Sequence, residues 1–186
     1  ATPEFDSIKP FQQIPFQYSI HIETEEALSH KEHLAEVNSD PRRKFAEQLI
    51  NDLPSDGTVL SYNAPFENSV LKGLANTFSD LSEQLNSIID RMEDLMIPFQ
   101  KKWYYHPDMK GSYSIKYVLP SLVPEMAKAY NSLPGVQNGL EASSAWTNIR
   151  SINSQSEVNT MRKGLLKYCK LDTLAMVKIL EKLREI

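Results

Sequence analysis

Tyr168 and Asp172 stand four residues apart in a run from Glu157 to Ile186 that holds no proline. On a helix this spacing projects both side chains from one face, one turn above the other. A carboxylate on a face meant for burial is costly unless something pairs with it. A divalent metal ion is one such partner, and the phenol one turn away could then orient a metal-bound water. A cap or salt bridge for Asp172, with Tyr168 packed and its hydroxyl at the rim, satisfies the same spacing. A second set comprises Asn63 and Glu67, with Asp94 as a further carboxylate. An amide and a carboxylate where a short strand turns into a helix lie where open α/β sheets place their ligands. The alternative is a turn-forming Asn63 and a Glu67 that complements the positive helix N-terminus. A third stretch, residues 103–116, is the most aromatic in the chain and has Lys101, Lys102, Lys110 and Lys116 interleaved. Aromatic faces stack on bases and lysines neutralise phosphates, so the combination fits a strand-binding surface. It equally fits a loop pinned by core aromatics with solvated lysines.

The elements that must position these residues follow from periodicity and punctuation. After Pro15, the residues Phe16, Tyr18, Ile20 and Ile22 alternate with Gln17, Ser19, His21 and Glu23, the pattern of a half-buried strand. A second extended segment near His30 to Val37 would pair with it as a hairpin, although periodicity there does not separate strand from helix. Asp40 and Pro41 open a helix as N-cap and first residue. A short buried strand, Thr58 to Asn63, is bounded by Gly57 and Pro65, and Pro65 opens the helix that carries Phe66 and Glu67. A helix from Leu81 to Met96 is expected, with Leu85, Ile88, Ile89, Met92 and Leu95 inward and Asp94 at its end. Ser114 caps a short helix running to Pro120, a polar connection follows from Asn131 to Gly139, and a short segment from Ala142 to Ile149 precedes the last helix. Along that helix Met161, Leu165, Tyr168 or Cys169, Leu171, Ala175, Ile179 and Leu183 form one apolar stripe.

The 186 residues predict one domain, 1–186, with a sizeable core. No apolar run approaches the ~20 residues of a membrane span, so no membrane partner is expected. The single cysteine, Cys169, cannot form an internal disulfide and reads as a small buried residue in a reducing cytoplasm. A formal net charge of −4 gives no global basic field, yet local lysines and a metal can still hold a phosphate. The four histidines are scattered, and no zinc-site spacing, glycine-rich phosphate loop or G-x-S-x-G elbow is present.

Tyr62-Asn63-Ala64-Pro65-Phe66-Glu67, Gly111 to Lys116 with Val118-Leu119-Pro120, and Tyr168-Cys169-Lys170-Leu171-Asp172-Thr173 together resemble a bacterial family, domain of unknown function 2779. The likeness extends to Pro15-Phe16-Gln17-Tyr18-Ser19 and Asp40-Pro41-Arg42. That family is placed in the ribonuclease H-like superfamily beside DnaQ-type 3′-to-5′ exonucleases. The resemblance implies an α/β fold, a ribonuclease H-like mixed sheet flanked by helices. It implies Asp172 as the last acidic metal ligand, Tyr168 as the residue that orients the attacking water, and Glu67 at the third ligand position with Asn63 as its amide. Glu in place of the usual Asp adds a methylene, and Asp94 is a reserve ligand in the same region. Phe66, Ser112 and Lys116 fall in the matching motifs as substrate-binding positions. The Asp-x-Glu strand that supplies the first two ligands should precede Ile14-Pro15-Phe16, where only a short, proline-containing lead stands. The expectation is therefore a fragment lacking its first strand, with that strand, and an upstream nuclease domain as a possible neighbour, in the intact polypeptide.

In the intact protein two Mg2+ or Mn2+ ions would act on a phosphodiester of single-stranded DNA or RNA, because carboxylates and phosphate oxygens are hard ligands. This chain alone would keep half the cage and show weak metal binding and little hydrolysis. A ribonuclease H-like domain that only binds nucleic acid or protein is the competing expectation, and a structural accessory domain is the third.

Overall fold

The computed structural model describes residue 8, residues 13–129 and residues 139–186. Most of the lead before Ile14 and residues 131–138 of the expected polar connection lie outside the described residues.

Strands β1 (Gln17–Glu23) and β2 (Leu28–Leu34) form an antiparallel hairpin in the register Gln17↔Leu34 to Glu23↔Leu28. It closes through the Thr24 amide on the Ala27 carbonyl at 3.0 Å. Pairing settles what the periodicity of the second segment leaves open: Leu28 to Leu34 is largely polar, and its strand state comes from its partner. The alternation of β1 predicts one dry and one wet face, but both are covered. Tyr18 and Ile20 enter a cluster with three helices, and Ser19, only 8% exposed, faces the C-terminal helix instead of water.

Helix α1 (Arg42–Asp52) follows Asp40, whose carboxylate accepts from the Arg42 backbone amide at 3.0 Å and from its guanidinium at 2.6 Å. Pro41 takes the N-cap position, one residue later than expected, because Asp40 caps through a short turn. Strand β3 (Val59–Ser61) then leads into α2 (Ala64–Thr77), with Pro65 in its first turn. Helix α3 (Ser82–Asp90) is shorter than predicted, and the chain enters a parallel strand, β4 (Met92–Asp94), in place of continuing to Met96. Arg91 makes the break. Its guanidinium donates to the carbonyls of Pro54, Asp56 and Gly57 at 2.6–2.8 Å, and its backbone amide still closes the helix. The apolar period runs on through Met92 and Leu95, but a tertiary contact ends the helix.

A short α4 (Ile97–Gln100), helix α5 (Ile115–Leu122), α6 (Gly139–Asn148) and the 30-residue α7 (Gln155–Arg184) complete the described chain. The Ser154 hydroxyl caps α7 by accepting from the Glu157 amide at 3.4 Å. One hydrophobic cluster packs α1, α2 and α3 against Tyr18 and Ile20 of β1 and against Val59 and Met92 of β3 and β4. On the other side, the first half of α7 packs with α6, Phe16, Leu34 and Val37, and its second half with α5, Leu95 and Phe99. Helices thus cover both faces of two small sheets. No helix among the described residues is long and apolar enough to cross a membrane.

Candidate functional site

Strands β3 and β4 run parallel and end together at Ser61 and Asp94. Asn63, the next turn, adopts a left-handed conformation with φ of 80°, which an asparagine tolerates better than most residues. Its backbone amide donates to Asp94 Oδ1 at 2.9 Å, and the Met96 amide donates to the same oxygen at 2.9 Å. Asp94 thus ties the end of one strand to the turn after the other. Glu67 lies in the first turn of α2 and reaches back to this edge. Burial raises its pKa and the Asp94 charge raises it further, while its own backbone amide and the Ser61 hydroxyl act in the opposite direction. One oxygen, Oε2, is buried with no hydrogen-bond partner. A buried carboxylate oxygen without a donor calls for a proton or a cation.

Tyr168 and Asp172 share a face of α7 as their spacing predicts, and they are hydrogen-bonded to each other. Burial first, and then the Asp172 charge, lifts the phenol far above its ordinary pKa, so it keeps its proton. The next residue, Thr173, anchors the helix to the hairpin: its Oγ1 lies 2.9 Å from Ser19 Oγ and 2.8 Å from His21 Nδ1. Ser19 Oγ also meets His30 Nε2 at 2.9 Å. This hub was not visible in the sequence, because its members are scattered polar residues with no shared spacing. Cys169 is half-buried rather than fully buried as its sequence setting suggests, and its thiol is pushed up to about 12 by desolvation, then by Asp172 and Glu32, which leaves it a poor nucleophile.

Glu67, Asn63 and Asp94 therefore come together at one edge, and Tyr168 and Asp172 come together on α7. No group of three or more His, Cys, Asp or Glu side chains among the described residues could hold a metal, so the two sets do not merge into a cage. Their chain neighbours share one hydrophobic cluster, although Tyr168 itself packs in another, with Trp146 and Val37. Ala175 and Met176, three and four residues beyond Asp172, pack there with Tyr62 and Leu95, which directly follow Ser61 and Asp94. The substrate positions fall at the same end of the molecule in part. Phe66 is 50% exposed on α2, and the Tyr62 hydroxyl donates to the Tyr113 carbonyl at 2.6 Å. Ser112 Oγ is used locally, accepting from the Ser114 amide at 3.2 Å, and Lys116 lies exposed on α5.

Residues 1–114 match a family described as Domain of unknown function (DUF2779). The chain is also 25% identical, over 159 residues, to an uncharacterized protein, UU173, of Ureaplasma parvum serovar 3. The match covers 77% of this chain and 23% of that relative, so the chain spans about a quarter of its length. No solved structure matches.

Proposed function

This chain belongs to the DUF2779 family, and from that premise we propose that it forms most of a metal-dependent phosphodiesterase domain for single-stranded DNA or RNA. Its sheet would be ribonuclease H-like, completed by a strand that precedes this chain in the intact protein and carries the first acidic ligands. The observation that carries the proposal is Glu67: a carboxylate with a buried, partnerless oxygen beside Asp94, at the shared C-terminal end of two parallel strands.

The pairing of the described strands favours a further strand in the sheet. Among the described strands β1 pairs only with β2, and β3 only with β4, yet β1, β3 and β4 pack under the same three helices. A further strand that paired with both β1 and β3 would join the two sheets into one mixed sheet. If it runs parallel to β3, its C-terminal end arrives beside Ser61, Glu67 and Asp94.

The donors fit a hard cation in kind, since they are carboxylate oxygens, and fall short of one in number. Glu67 would hold such an ion through Oε2, with Asp94 supplying a second negative charge, and Asp172 would join from α7. When bound, Mg2+ or Mn2+ polarises the phosphate and lowers the pKa of water. Tyr168 holds its proton and donates it to the Asp172 carboxylate, so toward a water it would offer an acceptor lone pair and would not act as a base. Phe66 and Lys116 would contact the strand. A non-catalytic binding domain is the second reading, favoured by one observation: Asp94 Oδ1 already accepts two backbone amides and is in that respect a structural group.

A 5′-labelled single-stranded oligonucleotide, incubated with Mg2+ or Mn2+, tests the proposal on this chain, on the intact protein and on the intact protein carrying Asp172→Asn. The expected result is a ladder from the intact protein alone, lost in the variant. Absence of cleavage by folded intact protein would overturn the nuclease reading in favour of the binding one. Robust cleavage by the 186-residue chain alone would overturn the incomplete sheet.

A further inference from the structure

The stretch from residue 101 to 117 divides its aromatic residues into two groups. Tyr104 turns inward and meets Phe99, just before the stretch, edge to face at 6.0 Å, in a cluster that also buries Met109, Val118 and Leu119. Trp103 and Tyr105, which flank Tyr104, are 74% and 50% exposed, and Tyr113 and Tyr117 are exposed as well. The exposed rings are therefore mounted on a packed base, and the core has no use for them. Gathered exposed aromatics in a monomer mark a binding surface more often than isolated ones do.

Charge says what kind. Lys101, Lys102, Lys110 and Lys116 oppose a single acidic residue, Asp108, in this stretch, although the whole chain carries −4. Backbone conformation fixes where two of these lysines sit. Lys102 and Lys110 adopt left-handed φ of 57° and 51° because each ends a helical turn: the amides of Lys102 and Trp103 close back on the carbonyls of Phe99 and Pro98, and Lys110 caps the turn from Pro107 to Met109. The bond from the Tyr62 hydroxyl to the Tyr113 carbonyl joins this surface to the edge that carries Asn63 and Glu67.

We infer that residues 101–117 form a platform on which the bases of a single strand stack, with Trp103 as its principal ring and Lys102 and Lys110 on the phosphates. The inference deepens the proposed function and rests on it for the direction of the strand toward Glu67. Rings take any base face, so the platform reads no sequence.

The test is binding without turnover, in EDTA, on the 186-residue chain. The chain has two tryptophans, and Trp146 is 2% exposed, so a stacked base quenches Trp103. An oligothymidylate of about a dozen nucleotides should quench this emission, and Trp103→Ala should weaken its binding about 5- to 100-fold. Lys102→Gln should lower the slope of log K against log salt by about 0.7. An abasic strand of equal length should bind more weakly and leave Trp103 unquenched. Far-UV circular dichroism checks that Trp103→Ala, a surface change, keeps the fold. Equal affinity for the abasic strand, equal competition by oligoglutamate, or no quenching at all would overturn the platform. If cleavage fails in the intact protein while quenching persists, the nuclease reading is lost and the platform stands; cleavage without quenching separates them the other way.

Discussion

Replacing Glu67 by Gln should stabilise the metal-free protein at neutral pH. A buried polar atom without a partner costs about 1–3 kcal/mol, and Glu67 Oε2 is such an atom, in a group whose charge also faces Asp94. Glutamine keeps the shape and removes the charge but brings an amide that needs partners of its own, so a net gain of about 1 kcal/mol is expected. In a chain of 186 residues this corresponds to a Tm rise of about 2–4 °C. The pH dependence has a defined sign. The pKa of Glu67 is raised on folding, so its contribution is fully favourable below the unfolded carboxyl value of about 4.3 and is lost as pH rises through the folded value. The gain from Gln should accordingly be present at pH 7 and vanish near pH 4. Under the proposed function Mg2+ or Mn2+ should reverse the ranking: at ten times its Kd an ion held by Glu67 would stabilise the wild type by about 1.4 kcal/mol, and the variant should not respond. Thermal unfolding by circular dichroism, in EDTA and across a metal titration, reads all of this. A variant less stable than wild type by 1 kcal/mol or more in EDTA at pH 7, on the scale of a lost buried hydrogen bond, would show that the carboxylate is already satisfied.

Thr173→Val should cost about 1–2 kcal/mol in urea unfolding, because it strands His21 Nδ1 and leaves Ser19 Oγ with His30 Nε2 as its remaining partner; a loss within about 0.5 kcal/mol would mean that the hub contributes nothing. His21 and His30 are held below the ordinary imidazole pKa, both chiefly by burial, then His21 by His30 and Lys170, and His30 by Lys170 against Glu32. The stability they contribute is present above about pH 6.5 and lost as pH falls through their folded values. Tm should therefore drop between pH 7 and 5, and the His21→Asn/His30→Asn pair should flatten that drop in part, since His33 is depressed too; an unchanged drop would remove the two residues from the account. Cys169 should react with Ellman's reagent far more slowly in native protein at pH 8 than in urea, given a thiol held near 12; equal rates would contradict its burial.

Local punctuation made much of this fold legible. Gly57 and Pro65 bracket β3 and open α2, and the spacing of Tyr168 and Asp172 correctly puts them in contact on α7. The end of α3 was not legible, since Met92 and Leu95 continue its period and only the reach of Arg91 to carbonyls in the preceding loop breaks it. Of the candidate site, the grouping of Asn63 with Glu67 followed from sequence. Asp94 was expected in the same region but at a helix end; its place on β4 and its bond to the Asn63 amide were not legible, because they depend on a parallel pairing of three-residue strands. The buried polar face of β1 was equally hidden. Ser19, His21 and His30 satisfy one another only because Thr173, far along the chain, is delivered to them by α7.

That delivery bears on the site itself. A long apolar stripe can turn or slide against its neighbours at small cost, whereas a hydrogen-bonded polar hub fixes one setting. Successive residues of a helix are about 100° apart around its axis, so with Thr173 held on β1, Asp172 is turned aside from the hairpin. Its i+3 and i+4 neighbours, Ala175 and Met176, enter the cluster that also holds Tyr62 and Leu95, while Tyr168, one turn earlier, packs with Trp146 and Ala142, so Asp172 lies on the seam between the two clusters. The bond from Gln17 Nε2 to the Leu165 carbonyl, 2.6 Å, pins the helix a second time two turns earlier. Two polar anchors from one strand thus define both the rotation and the height of Asp172.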